Sequence, residues 1–234
     1  MRRQLGWMLL VGACAHQRGP TAEERLALTV AGLDAAWAAR GRVGLEATAD
    51  LLAGMDTSER TAPAVRWRES RYEVAHGLQA STPEEALAAY ARARQVASAC
   101  VEVTRTLDAG RGRARAAGVE PACAGWAALA ATRWMVAFGP DAAALDRARV
   151  RDWARWAGDE NAPAAVALAL LEAAQRADAA PLRSLSEGVL REVVGPWVAW
   201  EDVRRWDAAA VPPSSLPSTP EDQAAWERTR DLPP

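Results

Sequence analysis

An all-α fold of stacked antiparallel helix hairpins is what this sequence predicts, and three observations carry it. Alanine fills 56 of the 234 positions, isoleucine is absent and tyrosine occurs twice, so helix formers abound and strand formers are scarce. From Thr21 onward apolar residues recur at helical spacing, with no competing alternation of period two. Proline repeatedly opens these segments and glycine closes them, the punctuation of short helices. The fold class is open between a TPR-like α-solenoid, in which each hairpin packs on the next, and a nonrepetitive helical bundle.

Charge narrows the function classes. Lysine is absent, so all 28 cations are arginine, against 30 acids and a net charge of -2. That balance argues against a disordered polyelectrolyte and against a protein gripping nucleic acid by bulk charge; the three cysteines are too few for a disulfide-dense scaffold.

The elements follow in order. Met1, Arg2 and Arg3 form a positive n-region, Leu5 to Val11 a short apolar core, and Gly12, Ala13 and Cys14 a small-residue end, so residues 1–13 read as a secretory leader. Two processing outcomes stand. Val11-Gly12-Ala13-Cys14 is similar to the lipobox of bacterial lipoproteins, in which Cys14 takes acyl chains such as palmitate and becomes the first mature residue; the short apolar core ending on Cys14 makes this the leading reading. Alternatively, Ala13-Cys14-Ala15 serves ordinary cleavage and the mature chain begins at His16. With lipidation go a polar tether at 14–21 and anchorage at the periplasmic face of the envelope, the outer membrane ahead of the inner. No later apolar run approaches the length of a membrane span; the longest is Ala162 to Leu171.

Leu26, Val30, Leu33 and Trp37 form one face of a helix over 22–40, followed by helices over 44–55 and 63–79. Ser81-Thr82-Pro83-Glu84-Glu85 supplies a cap, a first-position proline and first-turn acids for a long helix over 83–107. After the loop Asp108 to Gly118, helices are expected over 121–138, 141–157, 162–177, 181–194 and 197–210. The segment Ala162 to Leu171, apolar on every side, should be the most buried. The helical domain thus spans 22–210, and 211–234 reads as a Pro-rich C-terminal tail with a short helix at Glu221 to Arg230.

A resemblance to a known family rests on four of these segments. They are Val11 to Cys14; Ala36-Trp37-Ala38-Ala39-Arg40 followed by Leu45-Glu46-Ala47; Trp67 to Ala75; and Pro121 to Trp134 with its Gly125-Trp126-Ala127-Ala128 core. Together they resemble TatT, the T component of TPR-associated TRAP transporters, over about residues 1–160. The resemblance implies a tethered periplasmic adaptor that binds a solute-binding protein, or an apolar small ligand in a groove or pore between helices. Beyond Gly158 the chain departs from the family: Asp159-Glu160-Asn161-Ala162-Pro163 stands where a glycine-rich segment is expected.

Catalytic chemistry has little to build on. His16 lies in the tether, and His76, near a helix end, suits a dipole-stabilising role. No Cys-x-x-Cys, P-loop or Gly-x-Ser-x-Gly signature occurs, and the carboxylate pairs Glu84-Glu85, Asp159-Glu160 and Glu201-Asp202 sit at helix starts. The sequence therefore reads as a binding or scaffold protein rather than an enzyme, with no cofactor, no metal and no nucleic acid. Its expected partners are a periplasmic protein, the membrane through the N-terminal lipid, or a second copy of the chain. Trp126, Trp134, Trp153, Trp156, Trp197 and Trp200 either line a groove for an apolar ligand or partner, or pack the Ala-rich core. Arg111, Arg113 and Arg115 form a basic loop that either meets an anionic partner or is simply solvated. Cys100 and Cys123 lie on the inward stripes of successive helices; a disulfide and two buried free thiols are both open.

Overall fold

Each helix begins where the local chemistry says it should. The computed structural model describes residues 19–39, 41–111, 118–185, 189 and 193–229, and the described residues form eleven helices and no strand. These are α1 (Ala22–Ala39), α2 (Arg42–Gly54), α3 (Thr57–Thr61), α4 (Pro63–Gln79), α5 (Pro83–Arg111), α6 (Val119–Phe138), α7 (Pro140–Ala157), α8 (Ala162–Arg176), α9 (Ala180–Arg183), α10 (Pro196–Arg204) and α11 (Pro220–Thr229). At the head of α5 the Glu85 N–H donates to Thr82 Oγ1 and the Ser81 N–H to the Glu85 carboxylate, both at 3.2 Å, a reciprocal cap. Asn161 caps α8 by accepting from the Ala164 N–H at 3.1 Å, and its amide donates to the Pro121 carbonyl, tying α8 to the start of α6. That approach needs a glycine at 125, because a Cβ there would collide with the Asn161 amide group.

The packing is that of a two-layer stack. Sequence neighbours from α4 to α8 pack as antiparallel hairpins, and α4 with α6 and α6 with α8 also touch, so α4, α6 and α8 lie side by side with α5 and α7 behind them. Helix α6 is enclosed all round: every residue from Cys123 to Arg133 is buried, most of them Ala or Gly, whose small side chains let helices approach closely. The expectation that 162–171 would be the most buried stretch gives way here. Helix α8 keeps one open side, on which Leu168 is 40% exposed. A smaller core of Leu33, Leu52 and Val65 holds α1 and α2 against α4.

Two segments depart from the helical reading. Within the helix expected over 181–194, α9 ends at Arg183, Val189 and Val193 are again helical, and 186–188 and 190–192 lie outside the described residues; the helix expected over 197–210 stops at Arg204. Asp207 ends the latter by accepting the Ala209 N–H at 3.1 Å in an Asx turn and by pairing with Arg183. The segment read as a tail is part of the body: α11 packs on α4 and α10, and Ala225 joins the main core. Helices α9 to α11 thereby run across the α4, α6 and α8 layer, clamped by Gln79 to Glu221 at 3.0 Å and Arg133 to Asp202 at 2.7 Å. No described helix is long and apolar enough to cross a membrane.

Candidate functional site

Helix α10 is set by α11. Gly195 takes φ +79, and the Asp222 carboxylate accepts the N–H groups of Trp197 at 2.8 Å and Val198 at 3.3 Å, capping α10 from another helix. A Cβ at 195 would meet Asp222 Oδ1 at 2.6 Å, so glycine serves both the turn and the close approach. Burial pushes the Asp222 pKa up, opposed by the hydrogen bonds from the Trp197 and Val198 backbone.

One face of α10 carries Trp197 and Trp200, one turn apart and edge to face with centroids 5.5 Å apart. Their indole N–H groups donate to the carbonyls of Ser215 and Ala210 at 2.9 and 3.0 Å, which pins the Pro-rich segment across the helix as a strap. A cavity opens on each side of it. One, of about 520 Å³, is lined by Trp197, Trp200, Trp226 and the strap residues Ala208 to Pro212. The other, of about 450 Å³, lies between α9 and α10 against Leu182, Leu185, Val203 and Trp200. Trp200 and Ala209 to Val211 wall both, and Val211, 84% exposed, stands at their common lip.

The other face of α10 is ionic. Arg133 of α6 donates Nη1 to Asp202 Oδ1 at 2.8 Å and brings Nη2 to 2.7 Å from Oδ2, with both side chains buried. Desolvation opposes the Arg133 charge, but Asp202 and Glu201 offset it and hold the guanidinium above its ordinary value. Beside them Arg228 of α11 pairs with Glu201 at 2.9 and 2.8 Å, and buried Tyr90 is pushed up to about 12 by desolvation. A cavity of about 280 Å³ borders this network. Both carboxylates of α10 are thus engaged by arginines, and the two pairs lock α6 and α11 to α10. Among the described residues no group of three His, Cys, Asp or Glu is placed to hold a metal. His76, half exposed, stacks on Tyr72 with centroids 6.1 Å apart and lies 3.8 Å from Glu73.

Of the six tryptophans proposed from the sequence, the structure brings only Trp197 and Trp200 together in a groove. Trp126 meets Trp37 edge to face at 6.4 Å in the core, Trp134 stacks on Phe138 at 5.1 Å, Trp153 is buried, and Trp156 lies under Arg105 at 3.9 Å. Trp226, the third groove tryptophan, was missed; its position in the short helix read at 221–230 was the available signal. Cys100 and Cys123 form a disulfide joining α5 to α6, with Cα atoms 5.6 Å apart. Cys14, Arg113 and Arg115 lie outside the described residues, and of Arg111 only the main chain, closing α5, is described. No family model, curated protein or solved structure matches this chain.

Proposed function

We propose that the chain is a non-catalytic binding protein of the bacterial cell envelope, tethered through Cys14, which holds an apolar or lipidic small ligand against Trp197, Trp200 and Trp226. The observation that carries this reading is the pair of apolar cavities sharing Trp200 beneath a strap held by two indole hydrogen bonds. Their volumes fall within the roughly 300–1,000 Å³ typical of small-ligand sites. Two further facts support it. The α4, α6 and α8 layer, the kind of face a hairpin stack offers to partners, is already covered by the chain's own α9 to α11. The Cys100–Cys123 disulfide suits an oxidising compartment.

The test is titration with neutral N-phenyl-1-naphthylamine, comparing the protein with V211E, a change at an exposed lip that leaves the core intact. Enhanced, blue-shifted probe emission that V211E reduces about tenfold or more, as a misplaced charge at an apolar mouth should, supports the site. No enhancement, or an unchanged V211E, refutes it. The adaptor reading rests on another surface: Leu28 on α1 and Val43 on α2 are 67% and 75% exposed at the open end of the stack. Crosslinking of envelope fractions to a solute-binding protein, lost in a Leu28→Glu, Val43→Glu double variant, supports that reading; only self-crosslinks refute it.

A further inference from the structure

A separate cavity of about 250 Å³ lies between α6, α7, α8 and the end of α10. Its floor is apolar, made by Met135, Val136, Leu171, Ala174 and Trp206, while its charged groups are Arg147 from α7 and Arg205 just beyond α10. Among the described residues no carboxylate lines it. We infer that this cavity binds a monocarboxylate carrying a medium-length apolar chain, the carboxylate held by Arg147 and Arg205 and the chain laid on the floor below.

The charge arrangement carries the inference. Most arginines here have a carboxylate partner, as Arg60 has Glu69 and Arg68 has Asp34. Arg147 and Arg205 have none among the described residues, and Arg147 Nε is buried with no hydrogen-bond acceptor. The acids closest in sequence to Arg205 are already engaged, Asp207 by Arg183, Asp202 by Arg133 and Glu201 by Arg228. Arg205 lines this cavity and also the neighbouring ionic one at the Arg133–Asp202 pair, so among the described residues neither guanidinium at the apolar floor has a carboxylate of its own. A buried guanidinium N–H without an acceptor is costly, and an incoming carboxylate supplies two oxygens in the fork geometry that arginine matches. The apolar floor selects against a heavily hydrated dianion such as phosphate, which gains nothing from Met135, Leu171 or Trp206. The volume, just under the roughly 300 Å³ lower bound for drug-sized ligands, suits a medium-length chain.

Calorimetric titration of V211E, in which the Trp200 cavities are disabled, with decanoate, 1-decanol and inorganic phosphate separates the cases. Decanoate should bind in one-to-one ratio, decanol at least about tenfold more weakly, and phosphate not detectably. Arg147→Met and Arg205→Met should each weaken decanoate roughly tenfold to a hundredfold, the value of a charge-assisted hydrogen bond. Arg205 is exposed, so its variant folds whatever becomes of Arg147→Met. V211E, at the strap, should bind decanoate normally, which keeps this site distinct from the Trp200 cavities. Equal binding of decanol, phosphate binding as tight as decanoate, an unaffected Arg205→Met, or loss of binding in V211E would each overturn the proposal.

Discussion

Replacing Asp202 with alanine removes the ion partner and the hydrogen-bond acceptor of a guanidinium whose side chain is only 6% exposed. Arg133 donates Nη1 to Asp202 Oδ1 at 2.8 Å and places Nη2 2.7 Å from Oδ2, while neither Nη2 nor Nε makes a hydrogen bond, so no second partner is in position to take over. Stranding a buried charge in this way costs about 3–5 kcal/mol. Against a total stability of roughly 5–15 kcal/mol for a domain, that is about a fifth of the whole at the least. The pair itself is a different matter. Taking two ions out of water is expensive, and the unmatched Nε means the guanidinium is incompletely compensated even in the native state. Arg133→Met with Asp202→Leu should therefore lie between neutral and a few kcal/mol more stable, in the range found when buried pairs are replaced by apolar residues of similar volume. Urea unfolding followed by far-ultraviolet dichroism measures both, with an unchanged dependence on denaturant showing that the unfolded state is the same. The reasoning fails if the double variant is as destabilised as Asp202→Ala. The pair would then contribute net stability, and the stranded charge would not be the cause.

Three other outcomes follow from the same geometry. The Cys100–Cys123 bridge spans a sequence separation of 23, so Cys100→Ala with Cys123→Ala should lower unfolding stability by about 3 kcal/mol on the loop-closure estimate, and reduced wild type should match it; an unchanged urea midpoint would contradict this. Asp34 and Asp222 should move stability with pH in opposite senses. Arg68, by hydrogen bond, holds the Asp34 pKa below its ordinary value, so its contribution is present above the unfolded value of about 3.9 and is lost as pH falls through the folded one. Burial raises Asp222, so its contribution is present below that unfolded value and is lost as pH rises through the folded one. Urea midpoints across the acid range should show Asp34→Asn converging on wild type in acid and Asp222→Asn gaining on wild type toward neutrality. Finally, Gly195→Ala should cost roughly 1–3 kcal/mol through its left-handed φ and its contact with Asp222; adding Asp222→Ala should relieve the steric share, so the double variant should cost less than the sum of the two single variants in a thermodynamic cycle.

Helix starts were legible because they are written locally. Pro63, Pro83, Pro140, Pro196 and Pro220 each stand at the first position of a helix, and the Thr82 and Asn161 caps need only residues three positions on. The end after Arg204 was not, because a run such as Ala208 to Ala210 has high helix propensity by itself. What overrides it combines a local Asx turn, in which Asp207 accepts the Ala209 N–H, with two longer-range contacts: Asp207 pairs with Arg183, and the Trp200 indole N–H donates to the Ala210 carbonyl. The Arg133–Asp202 lock was invisible for a like reason. The two residues are 69 positions apart, and nothing in either segment marks them as partners.

The tryptophans show where periodicity stops being informative. Spacing assigns each indole to a helix face but does not say which faces meet, so six residues that look equivalent in sequence divide among separate interfaces. Alanine-rich helices approach closely yet bury little area per residue, and indoles at the edges of the contacts supply what the methyl groups lack. A lysine-free chain then has arginine available to cover the outer ring faces. Arg68 lies 4.0 Å from the Trp67 centroid, Arg71 4.3 Å from Trp37, Arg94 4.4 Å from Trp134 and Arg105 3.9 Å from Trp156. A ring face occupied by the chain's own guanidinium is closed to a ligand. At Trp200 the flanking Arg204 stands off at 5.3 Å, and the indole floors two cavities instead. Ring density in the sequence is thus a poor guide to a binding groove in this protein: the arginines that cover Trp67, Trp37, Trp134 and Trp156 come within 4.4 Å, whereas the one at Trp200 stays off at 5.3 Å.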